Sequence, residues 1–400
     1  AAEGVVLDRF YTAPISTPTR AGLMTGRYPN RFGIRTTVIP PWREDGLDEN
    51  EETLADMLAR NGYSNRAIIG KWHLGHTRKV HYPINRGFSH FYGHLNGAID
   101  YFDHMREGEL DWHNDWETCY DKGYSTELIT QEAVRCINTY EKEGPFLLYV
   151  AYNAPHTPLQ AQEKDIELYC DDFGSLTPKE QKRVTYQAMV SCMDRGIGTI
   201  VDALKKKGIM DNTFLIFFSD NGPAGVPGSS SGKLRGRKFD EWDGGVRVPA
   251  VFYWKRAESN YKNLSSQVTG FVDIVPTLKE LVGDKNRPER AYDGISILPL
   301  LIGSTSCIDR NFYLGCGAVV NKDYKLIRKG RKPGLNLPQD FLVDYQTDPY
   351  EKKNASNGNE QIVRSLYQVA LKYDTITPCL PEIPYGKGRE GFKAPVEWKV

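Results

Sequence analysis

The chain has 400 residues, of which 40% are hydrophobic, 12% aromatic and 26% charged. This is an ordinary globular composition, which excludes a mainly disordered, collagen-like or coiled-coil protein. Lys and Arg together number 51, as do Asp and Glu, so the formal net charge of zero gives no bulk electrostatic reason to bind nucleic acid or a membrane surface.

Membrane insertion and disulfide bonding receive no support from the sequence. No apolar run reaches the roughly 18 residues of a membrane span. The first residues, AAEGVVLDRF, lack the basic start and apolar centre of a signal peptide. The cysteines are odd in number and show no C-x-x-C spacing, so they predict neither a zinc site nor a disulfide framework. We expect most of them to be buried apolar side chains: Cys119, Cys136, Cys170, Cys192, Cys307, Cys316 and Cys379.

The first strong local pattern is STPTRAGLMTG, at residues 16–26. It predicts a helix with a Ser or Thr cap and Pro18 in its first turn. The N–H groups and the dipole at such a helix start favour an anion. Arg20 lies one turn in and adds a cation with a forked geometry. Taken alone, the pattern is more typical of an ordinary capped helix than of an anion site.

Helix and strand patterns then alternate along the chain as far as residue 219. The predicted elements are a helix at 51–60, a short strand at 67–69, a helix at 125–144, a strand at 146–152, a long helix at 181–207 and a strand at 213–219. This alternation favours an α/β fold with a mainly parallel, doubly wound sheet that is sandwiched by helices.

The pattern changes after about residue 305. Short strand-like runs separated by Gly, Pro and Asn-Lys turns are followed by a helical stretch at 360–374 and a tail rich in Pro and Gly. We therefore predict a main domain over residues 1–305. A C-terminal subdomain, with a small antiparallel sheet and one helix, is predicted over residues 306–400 together with the tail.

Residues able to carry chemistry follow the predicted strands. Lys71 and His73 follow the strand at 67–69, His156 follows the strand at 146–152, and Asp220 and Asn221 follow the strand at 213–219. Active sites of open α/β sheets lie outside the carboxyl ends of the strands, so we expect these residues at one edge of one sheet. Each is weak by itself, since a lone strand-end His is usually structural and Asp-Asn-Gly is a common turn.

Together these residues describe an anion pocket. Its cationic or titratable members are Arg20, Lys71, His73, His156 and Lys238, the last from a Gly/Ser-rich loop. Asp220 and Asn221 offer hard oxygen ligands suited to Ca²⁺ or Mg²⁺. Such a set suits hydrolysis of a sulfate or phosphate ester, because the cations stabilise charge on the transferred group and a metal acts as Lewis acid.

These motifs resemble the formylglycine-dependent sulfatase family over nearly the whole chain. STPTRAGLMTGR at 16–27 resembles the first sulfatase signature, and GKWHLG at 70–75 resembles the second. The likeness continues, in the family's order, through NAPHTPL at 153–159, FSDNG at 218–222, LRGRK at 234–238, WDGGVR at 242–247, FVDIVPTL at 271–278 and LVDYQTDPYEKKN at 342–354. The resemblance implies an alkaline-phosphatase-like fold. Residues 86–111 are similar to the arylsulfatase B branch, the N-acetylgalactosamine-4-sulfatases and bacterial relatives that act on sulfated galactans.

The resemblance also implies a nucleophile. Ser16 matches the position converted to formylglycine, and a Ser there is typical of bacterial enzymes matured by a radical, oxygen-independent enzyme. The aldehyde hydrate would attack sulfur and leave a covalent sulfo-enzyme hemiacetal, which breaks down by eliminating sulfate. Arg20 and Lys71 would hold the formylglycine and the sulfate.

The remaining roles follow from the same match. His73 would assist breakdown of the hemiacetal, while His156 and Lys238 would contact the sulfate and protonate the departing alcohol. Asp220 and Asn221, with the modified Ser16, would bind Ca²⁺ in preference to Mg²⁺. Asp220 would in addition activate the hydrate.

Five further residues lie in or near the segment similar to the sugar-facing region of the arylsulfatase B branch. They are candidates for binding the substrate, and a structural role is an equal alternative for each: His76, Arg86, His94, Asp100 and His104. The implied substrate is a sulfated oligosaccharide, a glycosaminoglycan or a galactan, for example one 4-O-sulfated on galactose or N-acetylgalactosamine. By the same resemblance, we expect a periplasmic or secreted protein.

One feature of the family is not found in this sequence. The family carries two adjacent aspartates on its first strand, both of them metal ligands, whereas the match here begins near the family's first helix. Either that strand precedes Ala1 in the full protein, or the protein is a fragment that lacks it. Real absence of the strand would put both calcium binding and activity in doubt. Two alternatives stay open: a phosphodiester or phosphonate monoester hydrolase of the same fold, and a non-catalytic pseudo-sulfatase that binds sulfated glycans.

Overall fold

The structure is a computed structural model that describes residues 3–260, 264–331 and 335–399. The α-helices are α1 Ser16–Thr25, α2 Leu54–Arg60, α3 Ser125–Thr139, α4 Glu163–Ile166, α5 Pro178–Lys207, α6 Asp243–Val246, α7 Ile274–Leu281, α8 Leu298–Leu301 and α9 Glu360–Asp374. The strands are β1 Val5–Val6, β2 Phe10–Tyr11, β3 Asn65–Lys71, β4 His90–His94, β5 Met105–Arg106, β6 Glu109–Leu110, β7 His113–Asn114, β8 Glu117–Thr118, β9 Phe146–Ala151, β10 Leu215–Phe218, β11 Ala250–Tyr253, β12 Thr269–Gly270, β13 Phe312–Gly315, β14 Ala318–Val320, β15 Tyr324–Ile327 and β16 Phe341–Asp344.

The chain divides into two compact units. Unit 1 contains residues 1–38, 212–225 and 230–383, and unit 2 contains residues 39–211, 226–229 and 384–400. This division does not follow the boundary at residue 305, which stays a prediction. The segment after residue 383 belongs to unit 2, although the sequence pattern placed it with the C-terminal sheet.

Unit 2 is built on a five-stranded sheet with the order β8-β7-β4-β3-β9. Strand β3 pairs in parallel with both β4 and β9, whereas β7 and β8 extend the sheet by antiparallel pairing. Helix α3 packs against β3 and β9, and α5 packs against α3. The predicted parallel α/β arrangement is therefore found in this unit.

Local sequence signals account for the bounds of the long helices in unit 2. Thr177 and Glu180 form a reciprocal capping box at the start of α5, and Pro178 occupies its first turn. Three lysines in its last turn suit the negative end of the helix dipole, and Gly208 ends the helix in the left-handed conformation. Helix α2 begins in the same way, with a box between Thr53 and Asp56.

The described residues of unit 1 form three small sheets. Strand β11 pairs antiparallel with both β1 and β10, and β2 pairs in parallel with β12. Strands β13 to β16 form an antiparallel meander, on which α9 packs. This meander and its helix confirm the predicted C-terminal sheet. Its core includes Phe312, Val319, Leu326 and Leu342, all of them fully buried.

One expectation about the sheet is wrong. The ends of β3, β9 and β10 were expected at one edge of a single sheet, but among the described residues β10 pairs only with β11, in unit 1. Among the described residues, β9 and β10 are edge strands. Most of their side chains are only half-buried, whereas a strand covered on both faces would bury them. The apolar runs predicted the strands correctly but could not give their neighbours. Among the described residues, no helix combines the length and the apolar character that crossing a membrane requires.

Candidate active site

The start of α1 places Ser16 in a constrained turn. Ser16 is the first residue of the helix and is almost fully buried. Thr19 fixes the chain before it, because its hydroxyl lies 3.1 Å from the Ala13 nitrogen and 3.2 Å from the Ala13 oxygen. Gly22 allows the helix to approach Phe271 closely, since a Cβ there would lie 2.1 Å from that ring. The motif therefore encodes the packing of α1, whereas the predicted Ser or Thr cap is wrong, because Ile15 occupies the N-cap position.

Two polar side chains from the loop after β10, those of Asp220 and Asn221, contact this helix start. The Ser16 hydroxyl donates to Asn221 Oδ1 over 3.4 Å. Arg20, one turn into α1, donates from Nε and from a terminal nitrogen to Asp220 Oδ2, over 3.2 and 3.0 Å. The Arg20 side chain is 7% exposed, whereas that of Asp220 is 27% exposed. The charge pair thus lies at a surface that a ligand can reach.

Lys238 belongs to the same group. Burial lowers the pKa of its ammonium group, the nearby Asp220 raises it and Arg20 lowers it. Its backbone N–H donates to the Pro223 oxygen over 2.9 Å, which ties the lysine to the loop after Asn221. Unit 1 therefore brings together Ser16, Arg20, Asp220, Asn221 and Lys238, as the sequence analysis predicted; we call these five residues the site cluster.

Lys71 and His73 lie in unit 2, at the carboxyl end of β3. The Lys71 side chain is buried, and the backbone of His73 has a positive φ of 63°. Its ring nitrogen Nε2 lies 3.2 Å from the Ile39 carbonyl oxygen, which can only accept, so Nε2 carries the hydrogen. Gly97 makes room for this ring, because a Cβ at that position would lie 2.4 Å from it.

His156 follows β9, the parallel neighbour of β3. Its Nδ1 lies 2.7 Å from the Thr157 carbonyl oxygen and therefore carries a hydrogen. Tyr101 holds this turn, since its hydroxyl lies 2.9 Å from the Asn153 oxygen and 2.8 Å from the His156 oxygen. Unit 2 thus places the three remaining candidates, Lys71, His73 and His156, after two adjacent parallel strands.

Sequence reasoning missed the residues that position these side chains. These residues are Gly97, Tyr101 and Asp111. The buried carboxylate of Asp111 accepts from the backbone N–H groups of Leu95 and Asn96, both over 2.9 Å. The carbonyl of Leu95 in turn accepts from the His73 N–H. No spacing in the sequence distinguishes Tyr101 from the other tyrosines of the chain, because its partners are backbone atoms more than 50 positions away.

Two of the predicted substrate-binding residues have internal partners. Arg86 donates to the carbonyl oxygens of Leu47, Asp48 and Glu51 and is 2% exposed. Ring nitrogen Nε2 of His76 lies 3.0 Å from the Pro41 oxygen, and the ring packs edge-on against Trp398. Burial lowers the pKa of both groups. These contacts favour the structural alternative for Arg86 and His76.

The other three are also held within unit 2. His94 and His104 stack on Trp112 and bond to the carbonyl oxygens of Asn96 and Gly123, over 2.8 and 3.0 Å. Asp100 accepts from two backbone N–H groups and from Gln160. Burial raises its pKa, but these hydrogen bonds outweigh burial and lower it. Asp100 is partly exposed and the other four residues are buried, so Asp100 is the best placed of the five to contact a ligand.

A calcium ion would suit the site cluster by its donor chemistry. Asp220 and Asn221 carry oxygen ligands, and the hydroxyl of Ser16 lies beside the Asn221 oxygen. Ca²⁺ takes about six to eight oxygen ligands, so these three side chains are right in kind but form only part of a full set.

The geometry and the motifs identify the family. The sulfatase family model matches residues 1–284, which is more than half of the chain. The chain therefore belongs to the sulfatase family, as the resemblance implied, and its fold is alkaline-phosphatase-like.

Two curated relatives and one solved structure show how far this likeness extends. The chain is 36% identical over 307 residues to arylsulfatase J of Mus musculus, covering 74% of this chain and 50% of the relative. It is 32% identical over 327 residues to N-acetylgalactosamine-6-sulfatase of the same organism, covering 76% and 60%. The crystal structure of Ps i-CgsB in complex with k-i-k-neocarrahexaose matches with a TM-score of 0.81 at 28% identity, covering 96% of this chain and 88% of that one. The chain thus spans about half to three fifths of the length of these curated relatives.

Proposed function

We propose that this chain hydrolyses a sulfate ester on a carbohydrate, with Ser16 as the precursor of the nucleophile. The observation that carries this proposal is the arrangement at the start of α1. There Ser16 lies 3.4 Å from Asn221, and Arg20 pairs with Asp220 one turn away. These residues all lie within the part of the chain that the family model matches.

The roles in unit 1 follow from charge and position. Conversion of Ser16 to formylglycine by a maturation enzyme would supply an aldehyde whose hydrate is the nucleophile. Asp220 and Asn221 would hold a Ca²⁺ ion, which offsets the negative charge of the sulfate. Arg20 balances the charge of Asp220 and orients it beside Ser16. Lys238 donates a proton to the departing alcohol, for which a partly buried ammonium group is a suitable acid.

The roles of Lys71, His73 and His156 are proposed from the resemblance to the family. Lys71 binds a sulfate oxygen through its buried ammonium group. His73 and His156 bind the sulfate and move protons, each with one ring nitrogen fixed as a donor by a backbone carbonyl. Because the carbonyls of Ile39 and Thr157 set the tautomers, both rings are oriented before a substrate arrives.

The substrate class is a sulfated sugar of galactose configuration. This choice is supported by the names of N-acetylgalactosamine-6-sulfatase and of the neocarrahexaose complex among the similar proteins, together with the likeness of residues 86–111 to the arylsulfatase B branch. We place the sulfate at position 4. We also propose that the protein is exported, to the periplasm or the medium, which cell fractionation tests.

The activity is tested by comparing sulfate with phosphate esters, and one sugar sulfate with another, on the same enzyme preparation. Protein from its native host is assayed on 4-nitrophenyl sulfate and 4-nitrophenyl phosphate, and then on galactose and N-acetylgalactosamine sulfated at position 4 or 6. We expect sulfate release to exceed phosphate release and the 4-sulfates to react faster. Faster phosphate hydrolysis would favour the phosphodiester or phosphonate hydrolase alternative. Faster release of the 6-sulfate would assign the reacting sulfate to position 6 of the sugar instead of position 4.

The nucleophile is tested by the mass of the peptide that contains Ser16. We expect the loss of two hydrogens relative to serine, which marks the aldehyde. An unmodified serine, combined with binding of sulfated glycans without sulfate release, would make the chain a glycan-binding pseudo-sulfatase. The mass and the assay together separate a failure of maturation from a wrong choice of substrate.

A further inference from the structure

Unit 2 contains a second group of metal-binding side chains, separate from the residues discussed above. His90, Glu132 and Cys136 place one ligand atom each within 4.8 Å of the others. His90 begins β4, whereas Lys71 and His73 lie at and after the last residue of the parallel strand β3. The group therefore lies at the opposite end of the sheet from the candidate catalytic residues of this unit.

The three side chains come from two elements that are firmly packed. Glu132 and Cys136 are four residues apart on α3 and so lie on one face of the helix. The Glu132 carboxylate lies 2.6 Å from His90 Nε2 and 3.8 Å from Cys136 Sγ. Cys136 is 1% exposed, while the side chains of His90 and Glu132 are 16% and 13% exposed. The cluster is thus sheltered on one side and open to solvent on the other.

Asp115 orients the histidine. Its Oδ1 lies 3.0 Å from His90 Nδ1 and also accepts from the Phe91 N–H over 2.8 Å. A carboxylate that holds one ring nitrogen directs the other toward the interior of the cluster, which is the usual arrangement around metal-bound histidines. In unit 2 this pattern brings together an imidazole, a carboxylate and a thiol, with a second carboxylate behind the imidazole.

Positive charge already occupies the cluster. The His90 ring and the Cys136 thiol both face the carboxylate of Glu132. The guanidinium of Arg135 also reaches Glu132, over 2.5 and 2.8 Å. Because this side chain is 54% exposed, Arg135 can turn into solvent without leaving a buried charge behind. The surroundings therefore favour a cation and contain one that can be displaced.

We propose that His90, Glu132 and Cys136 bind a divalent transition metal of the zinc type, with water as the fourth ligand. A nitrogen, an oxygen and a sulfur ligand select zinc-like ions over Ca²⁺ and Mg²⁺, which prefer oxygen. Binding breaks the Nε2–H bond of His90 and the S–H bond of Cys136 and releases two protons to solvent. It forms metal bonds to Nε2 of His90, Sγ of Cys136 and a carboxylate oxygen of Glu132, and water completes the set. The C-x-x-C test misses this site, because His90 lies 42 positions from Glu132 and the cluster contains one cysteine.

The test is a cobalt titration of the full chain after treatment with a chelator. We expect Co²⁺ to give the near-ultraviolet thiolate-to-cobalt absorption and intense tetrahedral visible bands, and Zn²⁺ to remove both. Cys136→Ser should abolish the ultraviolet band, whereas Cys192→Ser, which changes a buried cysteine on α5 in the same unit, should retain it. Asp115→Asn should weaken binding about 10- to 100-fold.

A variant expected to bind metal more tightly distinguishes loss of the site from misfolding. Arg135→Ala removes the competing guanidinium, so it should tighten Co²⁺ binding by about tenfold, a result that unfolding cannot produce. A cobalt spectrum without a thiolate band, or one unchanged in Cys136→Ser, would overturn the proposal. The cluster would then be an ion pair held together by a proton and Arg135. Neither result depends on sulfatase activity.

Discussion

Two groups of charged side chains in unit 1 differ in how far solvent reaches them. The site cluster pairs Arg20 with Asp220, whose side chain is 27% exposed. The second group, which we call the buried triad, consists of Lys325, Asp243 and Glu351, and the side chains in its two ion pairs are 0% exposed. Both groups pair a cation with a carboxylate, so the comparison turns on burial.

The contacts within the buried triad explain its role. Lys325 Nζ lies 2.8 Å from Asp243 Oδ1 and 2.7 Å from Glu351 Oε1, and Glu351 Oε2 accepts from the Asp243 N–H over 2.7 Å. Tyr345 donates to Asp243 over 2.9 Å. Charges enclosed in this way can hold segments of the chain together but cannot meet a substrate. The partly exposed site cluster can do both, and the predictions below test this distinction.

The largest effect is expected from Ser16→Ala. The variant lacks the atom from which the nucleophile is made, so we expect sulfate release to fall by about ten-thousandfold or more. Stability should change by about 1 kcal/mol, the size of a typical hydrogen bond, because the variant loses the long hydrogen bond to Asn221. Turnover of 4-nitrophenyl sulfate and chemical denaturation measure the two quantities.

Ser304→Ala, at an exposed serine of the same unit, is the matched control and should alter neither quantity. A Ser16→Ala variant that keeps a tenth of the activity would remove Ser16 from the mechanism. It would also remove the functional contrast between the site cluster and the buried triad.

The next effect concerns the buried triad. Lys325→Met leaves two buried carboxylates without their shared cation, so we expect the free energy of unfolding to fall by about 3 to 5 kcal/mol. Lys322→Met, at an exposed lysine nearby, should change it by about 0.5 kcal/mol or less. Denaturation followed by tryptophan fluorescence checks both values. Equal stabilities for the two variants would mean that the buried triad does not hold the fold together, so burial would not separate its role from that of the site cluster.

The sequence predicted the site cluster better than it predicted its surroundings. The helix start at Ser16, Arg20 one turn later and the Asp220-Asn221 pair after a strand are local patterns, and the structure places them together. The parallel pairing of β3 with β9 also followed from alternation of helix and strand. Local spacing was sufficient wherever a side chain is positioned by its own helix or strand.

Long-range partners were beyond what spacing can show. Strand β10 has the apolar run of a central strand, yet its neighbour is β11, and nothing in the run itself encodes that choice. Sequence analysis makes Arg86 a candidate for binding the substrate, but in the fold its guanidinium donates to three backbone carbonyls from residues 47–51. The buried triad was missed for the same reason, because its members are 26 and 82 positions apart.

A smaller effect on catalysis is expected from Lys238→Gln. Removing the proposed proton donor should lower the rate of sulfate release from an alkyl sulfate by about a hundredfold. The loss should be smaller for 4-nitrophenyl sulfate, since that leaving group needs less help from an acid. Lys233→Gln, at an exposed lysine of the same loop, is the control and should leave both rates unchanged. Equal losses on the two substrates would assign Lys238 to sulfate binding instead of proton transfer.

The smallest effect is a pH dependence of stability that originates in the buried triad. Burial raises the pKa of Glu351 from 4.5 to about 7, while Lys325 lowers it. A carboxyl group whose pKa is higher in the folded state binds its proton more tightly there, so its contribution falls as the pH rises from about 4.5 to about 7. Glu351→Gln cannot titrate and should lose this slope in denaturation curves measured across that range. The slope is the quantity to compare, because the Gln amide also faces the Asp243 N–H and lowers stability at every pH. An unchanged slope would mean that Lys325 keeps Glu351 ionised in the folded state despite the complete burial of the triad.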